Sequence, residues 1–542
     1  MSTVPHGRQK ERELGNMSHY TENKKRQKLV KALTSLYLVP LAAMVIFNSF
    51  NSLLRTTYFE LYKDMETAKY KWDQPFLVLM ASAVLLFVIY LVCKTKWFEK
   101  NSHYLLVAVL FSGTISTFIV LTVCGIAICD GEALSNIAIE FMQSNYETLS
   151  EGEYLFNYSF QIGMVALLEV IYRIFGIENY LVFQMLNVIS IMIFIWMLGK
   201  ITDELFENKR VSRIEAILAL GMLPLFLFST FVYGDIIGWA FGISAIYFVI
   251  RYLKADKWQF VITASVLLSL GIVVKSNINI LVVASVIAIL LNAIYKKRFQ
   301  SLLWIMILII ISQFGMGAVQ AVYTQRAGLS EYPEGIPKIA WVAMSMQETD
   351  EGGYACGWYN GYNWAVYREN EYDRARTTQA CVQNLKQSLH KLIHEQKYAL
   401  NFVYKKFTSQ WNAPTFQAMI TNEWSMRHTD NDSALAHYFV FERGRDILYE
   451  LMNIYHFLLF FCTSAYFLLN HGRWSLPKAY YILNIFGGFL FHMIWEAQSR
   501  YILGYFVLML PLAACGCNRL LESIEKRIAV KARKKENCNA TT

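Results

Sequence analysis

The stretch YLLVAVLFSGTISTFIVLTVCGIAICDGEALSNIAIEF, residues 104–141, decides how this chain is read. From Tyr104 to Cys129 it is apolar and long enough to cross a bilayer, which takes a helix of about 20 residues. It then breaks at Asp130-Gly131-Glu132. Carboxylates at the end of a membrane helix are expensive unless used, which makes them functional candidates. Beyond them Leu134, Ile137, Ala138 and Phe141 recur at helical spacing, as in a short amphipathic helix at the membrane surface. An Asp in front of such a helix can serve only as its cap. A cap, however, needs no second carboxylate two residues on.

Blocks of the same apolar kind recur along the 542 residues, of which 55% are hydrophobic and 17% charged. A soluble domain carries about 45–50% and about 25%. Candidate spans are Leu29–Leu53, Phe76–Cys93, Tyr104–Cys129, Leu181–Gly199, Ile214–Tyr233 and Ile236–Leu253. Trp258–Val274, Asn277–Tyr295, Leu302–Tyr323, Leu451–Asn470, Pro477–Trp495 and Tyr501–Leu520 complete the set. The chain thus reads as an all-α polytopic membrane protein of about twelve transmembrane helices. Phe160–Gly176 carries Gln161, Glu169 and Arg173 on a helical repeat, and reads as a helix lying in the interface instead of spanning.

The basic residues test that choice. With a cytoplasmic N-terminus, Lys94, Lys96 and Lys100 fall inside, as do Lys200, Lys209, Arg210 and Arg213. Arg251, Lys254 and Lys257 follow, then Lys296-Lys297-Arg298, then Arg473 and Lys478, then the tail from Lys526 to Lys535. If Phe160–Gly176 crossed, every later basic loop would flip outward, against the positive-inside rule. The loop around Lys63, Lys69 and Lys71 is an exception. The formal charge of +9 is therefore a topology signal, and no nucleic-acid partner is expected. Residues 1–28 form a cytoplasmic basic tail ending in Lys24-Lys25-Arg26-Gln27-Lys28, without a cleavable signal-peptide pattern. The transmembrane domain covers 29–323 and includes an acidic outer loop, 130–180. Residues 324–450 form a small extracytoplasmic cap, 451–520 the C-terminal membrane helices, and 521–542 a second cytoplasmic tail.

In the cap, GWYNGYNW at residues 357–364 gives way to a helical pattern from Glu371 to Trp411, with Leu385, Leu389, Leu392 and Ile393 on one face. Cys356 and Cys381 lie there too, available for one disulfide if the region is exported. No cysteine or histidine spacing suggests zinc, and His394, His428 and His437 show no metal pattern.

This topology brings Asp130, Glu132, Asp235, Lys275, Glu496 and Arg500 to the outer face. Each has a plainer reading. Asp235, in Tyr233-Gly234-Asp235, is a turn residue. Lys275 either meets an anion such as phosphate or snorkels to the interface. In Trp495-Glu496-Ala497-Gln498-Ser499-Arg500-Tyr501, Arg500 suits planar recognition of phosphate, or else pairs with Glu496 to pin the hairpin. Trp358 and Tyr359 either stack on a sugar or belong to an aromatic belt.

The segments Asp130-Gly131-Glu132-Ala133-Leu134-Ser135-Asn136-Ile137-Ala138 and Tyr158…Gln161-Ile162-Gly163 resemble the C-class (GT-C) membrane glycosyltransferases. The likeness is to family 39, which holds protein mannosyltransferases and bacterial aminoarabinose transferases. Tyr233-Gly234-Asp235, Lys275-Ser276-Asn277 and Trp495-Glu496…Arg500-Tyr501 add to it. The resemblance implies interfacial helices in the first large outer loop and a bacterial plasma membrane. It also implies transfer of a sugar from a polyprenyl-phosphate donor to an extracytoplasmic acceptor: cell-wall polysaccharide, lipid or protein. On it, Asp130 or Glu132 is the general base, with Asp130 preferred. Glu132 and Asp235 assist or hold a divalent cation, and Lys275 and Arg500 meet the lipid phosphate. Glu496 and Tyr501 also fall in the substrate site. Two departures stand out: Gly131 separates the acids, and two spans precede the acidic loop. The rivals are a transporter or flippase, and a polymerase or ligase, of lipid-linked saccharides. A transporter often shows inverted repeats and charges near the bilayer midplane; here there is no visible repeat, and the charges gather at one surface.

Overall fold

A backbone inside hydrocarbon must satisfy its own N–H and C=O groups, so apolar blocks of this length fold as helices. The computed structural model describes residues 6–62, 65–100, 102–348, 355–469 and 474–540; Lys63 and Arg473 lie outside them. Among the described residues, eight helices are long and apolar enough to cross a membrane: Lys24–Leu54, Pro75–Cys93, Tyr104–Val123, Tyr180–Phe206, Asp235–Ala255, Ser276–Lys296, Ser301–Arg326 and Arg443–Leu469. The count rises to as many as 11 if each bent pair of helices is one span. The chain is an all-α polytopic membrane protein. Asp235–Ala255, 78% buried, runs through the centre of the bundle, whereas Ser301–Arg326, 11% buried, is peripheral.

Four of the expected twelve spans differ from that standard. Trp258–Val274 is an apolar helix of 17 residues, and Leu476–Ile494 is a helix outside the eight. The block expected as Ile214–Tyr233 is two helices, Lys209–Ala219 and Leu223–Thr230, bent by 51°. Ser499–Val507 and Leu510–Ala532, at the expected Tyr501–Leu520, meet at 53°. Each second piece has proline, Pro224 or Pro511, as its second residue. There the missing N–H and fixed φ suit a new first turn and not a continuing helix.

The expected span Tyr104–Cys129 ends early, at Val123. Cys124 turns left-handed (φ 47°) and leaves the helix. Side chains take up the freed backbone: Gln184 Nε2 donates to Gly125 O at 2.8 Å, and Ile126 N donates to Ser425 Oγ at 2.8 Å.

Helices Tyr104–Val123 and Tyr180–Phe206 pack antiparallel. Tyr104 OH donates to Asp203 at 3.4 Å, Gly113 abuts Met192, and Gln184 reaches Gly125. The second helix therefore begins on the face where the first ends, and residues 124–179 stay on that face. Ile162–Phe175 does not cross. It buries Val165, Leu168 and Ile171 and exposes Val170, Ile174 and Phe175. Buried Glu169 accepts from Arg173 (2.6 Å), Arg326 (2.7 Å) and Tyr323 (2.5 Å), clamping this helix to the end of Ser301–Arg326.

Over the same face sit the helices Ile339–Met344, Tyr362–Glu369, Arg374–His394, Gln396–Trp411 and Ala418–Arg427. Cys356 and Cys381 are free thiols, Cys356 beside Glu348 and Cys381 beside Tyr362. The loop carrying Lys69 and Lys71 is an antiparallel hairpin, β1 (Arg55–Tyr62) and β2 (Met65–Trp72), with Phe59 opposite Ala68 and Leu61 opposite Glu66. Phe59 packs against Trp358, ring centroids 4.9 Å apart and tilted by 37°, and joins Ile420 and Ala497. Thr57 N donates to Asn412 O at 2.9 Å, which ties the hairpin to the cap.

Candidate active site

Asp130 is the first residue of the helix Asp130–Met142, behind a left-handed Cys129 (φ 50°). It caps nothing, since the N-cap position is Cys129 and no side-chain cap bond forms there. Its carboxylate instead accepts from Tyr154 OH at 3.1 Å. Gly131 explains the separated acids: a Cβ there would lie 2.6 Å from Val232 O, so only glycine lets this turn touch the strand-like approach to Tyr233. Glu132, on the same helix, is exposed.

Asp235 opens its own helix and is 7% exposed. Lys275, at the end of Trp258–Val274, reaches it at 3.0 Å. The Lys275 ammonium also lies over the rings of Tyr233 (4.3 Å) and Tyr501 (5.1 Å). Burial pulls the Lys275 pKa down, against the pull of Asp235. Tyr233 OH accepts from Gln161, at the start of the interfacial helix.

Glu496 and Arg500 come from the last hairpin. Arg500 lies over Phe231 (5.6 Å), Tyr233 (5.6 Å) and Tyr501 (5.3 Å), and its buried Nε has no hydrogen-bond partner among the described residues. No ion pair joins it to Glu496 among the described residues, so the alternative of a pinning pair is not formed. Glu496 accepts from Tyr501 OH at 3.4 Å instead. Its burial, helped by the negative charge of Asp130 and opposed by Arg500, pushes its carboxyl up to about 7.

Sequence reading did not find Glu66, Tyr154 or Gln417, and named Gln161 without a role in the site. Glu66, on β2, accepts from Gln417 Nε2. Gln417 Oε1 in turn accepts from Arg500 N at 3.0 Å and Ser499 Oγ at 3.2 Å. Burial raises the Glu66 pKa, Arg500 and the Gln417 bond lower it, and Asp130 raises it. The alternation of RTTYFELY and METAKYKW was the available signal for this residue: Thr57, Phe59, Leu61, Ala68 and Tyr70 line one face of the hairpin, and Glu66 is the acid among them.

Asp130, Asp235, Lys275, Glu496, Arg500 and Tyr501 thus come within electrostatic reach of one another in one cluster, and Glu66 joins them. Glu132 points away. Trp358 is 3% exposed, with Nε1 donating to Ser409 Oγ at 3.0 Å, and is a core residue of the cap. Tyr359 is 39% exposed, its hydroxyl 3.1 Å from that of Tyr158. Among the described residues no three His, Cys, Asp or Glu side chains are grouped to hold a metal ion, and Asp130, Glu132 and Asp235 do not converge.

A helical membrane bundle with acids and cations gathered under a cap agrees with what the resemblance to the C-class membrane glycosyltransferases implies. Residues 162–316, which carry Tyr233, Asp235 and Lys275, match the family model described as dolichyl-phosphate-mannose-protein mannosyltransferase. The match covers less than a third of the chain and supports a membrane glycosyltransferase of that class. No curated protein matches the chain.

Proposed function

We propose that this protein moves a sugar from a polyprenyl-phosphate carrier to an acceptor hydroxyl on the extracytoplasmic side of a plasma membrane. The observation that carries this is one cluster that brings a carboxylate, Asp130, within electrostatic reach of two largely desolvated cations, Lys275 and Arg500. In the reaction the acceptor oxygen bonds to the anomeric carbon and gives its proton to the Asp130 carboxylate. The bond from that carbon to the phosphate oxygen breaks, and its electron pair leaves on the lipid phosphate, facing Lys275 and Arg500. Tyr154 orients Asp130, and Asp235 holds Lys275 in place. The positive-inside bias of the basic loops supports a site on the outside and both termini inside.

A flippase for lipid-linked saccharides needs no base beside a phosphate site, and a polymerase or ligase would share this chemistry but take a glycan as donor. The test is Asp130→Asn in proteoliposomes supplied with polyprenyl-phosphate mannose, following sugar transfer and lipid translocation together. Transfer should fall about 10²–10⁴-fold, whereas Glu132→Gln should retain it. Wild-type transfer by Asp130→Asn would remove the base, and translocation by the wild-type protein without transfer would sink the enzyme reading.

A further inference from the structure

The surface helix Ile162–Phe175 and the peripheral span Ser301–Arg326 leave a groove between them, with a volume of about 380 Å³. Ligand pockets run from about 300 to 1,000 Å³. Small and branched side chains, Ala166, Val170, Ala318, Val319 and Val322, form most of its walls. On the surface helix the lining residues fall at positions 166, 169, 170 and 173, one face at the helical period. On the span they run from Ala318 to Arg326, about 12 Å of helix at 1.5 Å per residue. Val170, Ile174, Phe175 and Val322, on the two bordering helices, are each more than half exposed. Apolar side chains left open in this way mark a surface that meets lipid.

The groove is polar at one end only. Arg326 is the last residue of the span, on the face that carries the cap, and Ala318 lies two turns deeper. At the polar end one carboxylate, Glu169, faces two guanidiniums, Arg173 at 2.6 Å and Arg326 at 2.7 Å. A positive charge is left over, and it belongs to Arg173. Arg326 divides its N–H groups among Glu169, Tyr146 OH and Phe141 O. Arg173 is 50% exposed and donates to Glu169 through Nε and Nη2. Its Nη1 engages no other group among the described residues. The groove therefore pairs a cationic head at the membrane surface with an apolar channel running inward.

We propose that this groove binds one anionic phospholipid of the bilayer, its phosphate at Arg173 and an acyl chain laid inward along Val322, Val319 and Ala318. A guanidinium suits a phosphate, which accepts its N–H groups in charge-assisted bonds. A zwitterionic lipid fits less well. Its ammonium finds no free carboxylate, because Glu169 is the only acid lining the groove and already carries two arginines and the Tyr323 hydroxyl. On the orientation that the basic loops support, the lipid comes from the outer leaflet. Filling the gap braces the surface helix against the span, and the residue just before that helix, Gln161, holds Tyr233. The groove is separate from the cluster around Asp130, and lipid binding there does not depend on the glycosyl-transfer reading.

The experiment titrates the purified full chain in dodecyl maltoside with dioleoyl phosphatidylglycerol, dioleoyl phosphatidylcholine or polyprenyl phosphate. Lipid retention is read by native mass spectrometry, alongside the unfolding temperature. Wild-type protein should hold phosphatidylglycerol about 10-fold more tightly than phosphatidylcholine, and its unfolding temperature should rise as the lipid binds. Arg173→Gln, which leaves Glu169 its bonds from Arg326 and Tyr323, should weaken phosphatidylglycerol about 10- to 100-fold, the scale of one charged hydrogen bond. It should also erase the preference over phosphatidylcholine. Ala318→Leu keeps every charge and fills the channel, so it should weaken both phospholipids; it decides alone if Arg173→Gln fails to fold. Equal retention of the two phospholipids by wild-type protein overturns the proposal, as does phosphatidylglycerol binding that neither variant changes. Polyprenyl phosphate that displaces phosphatidylglycerol and loses its own hold in Ala318→Leu gives the groove to the carrier, and also overturns it. None of these outcomes reads sugar transfer, so a failure here leaves the proposed activity standing, and the reverse holds too.

Discussion

The Asp235–Lys275 pair is the sharpest place to separate structure from chemistry. Lys275 Nζ lies 3.0 Å from one carboxylate oxygen and 3.1 Å from the other, and each side chain is only 11% exposed. Removing one partner leaves the other charge poorly solvated, at a cost of about 3–5 kcal/mol. Asp235→Asn and Lys275→Met should each lower the unfolding temperature in detergent markedly. The double variant carries no charge there, and replacing both members of a buried pair by neutral groups is often neutral or stabilising. It should regain most of the lost stability. Activity should not follow. If Lys275 meets the leaving phosphate, both the Lys275→Met protein and the double variant should lose transfer from polyprenyl-phosphate mannose by about 10²–10³-fold, the scale of one preorganised transition-state contact. A double variant that is stable and transfers at the wild-type rate would show that the pair merely pins two hairpins. Single variants with unchanged thermal shifts would refute the burial argument from which the magnitude comes.

Two other outcomes follow from the same cleft. Glu496, raised to about 7 by burial, is neutral below that pH and adds negative charge above it; kcat/KM for the anionic donor should fall as pH rises through about 7, and Glu496→Gln should abolish that limb, while a limb unchanged in the variant would refute the assignment. A Cβ at Gly163 would sit 1.9 Å from Val273 O, where ordinary contact begins at 3.4 Å, so the interfacial helix must part from that backbone by about 1.5 Å (3.4 − 1.9); Gly163→Ala should break the Gln161–Tyr233 bond and cut transfer about 100-fold, and wild-type transfer with an unmoved thermal shift would contradict the packing.

The helices were legible because hydrocarbon leaves an apolar block few other options, and the surface helix at Ile162–Phe175 was legible because charge bias forbade it to cross. The chain's breaks were only half legible. Pro224 and Pro511 are visible as helix starts, but hydropathy reads straight through them. The early end at Val123 was not legible at all: GIAIC is as apolar as what precedes it, and it leaves the helix because Gln184 and Ser425, distant in sequence, respectively donate to and accept from its backbone. The hairpin escaped for a similar reason, being short, partly charged and sandwiched between two strong helix signals.

Within the site, the acidic motif named two candidates that spacing alone could not rank. The helix it starts ranks them. Successive residues turn by about 100°, so residues two apart point to nearly opposite sides, and only one of Asp130 and Glu132 can face the cleft. Asp130 does, held by Tyr154, and Glu132 is left exposed. The same periodicity argument, with period two in place of 3.6, applies to METAKYKW. Residues opposite each other across an antiparallel pair share a face, so the burial of Phe59, with Ala68 partly buried opposite it, fixes the face of Glu66 as the inward one. Lys69 and Lys71 take the other face, where Lys71 pairs with Glu450 at 3.0 Å. A loop that read as an exception to the charge rule is therefore a two-faced hairpin, basic outward and acidic toward the cleft, and its position explains why two spans precede the acidic loop: the added pair of helices is what delivers it.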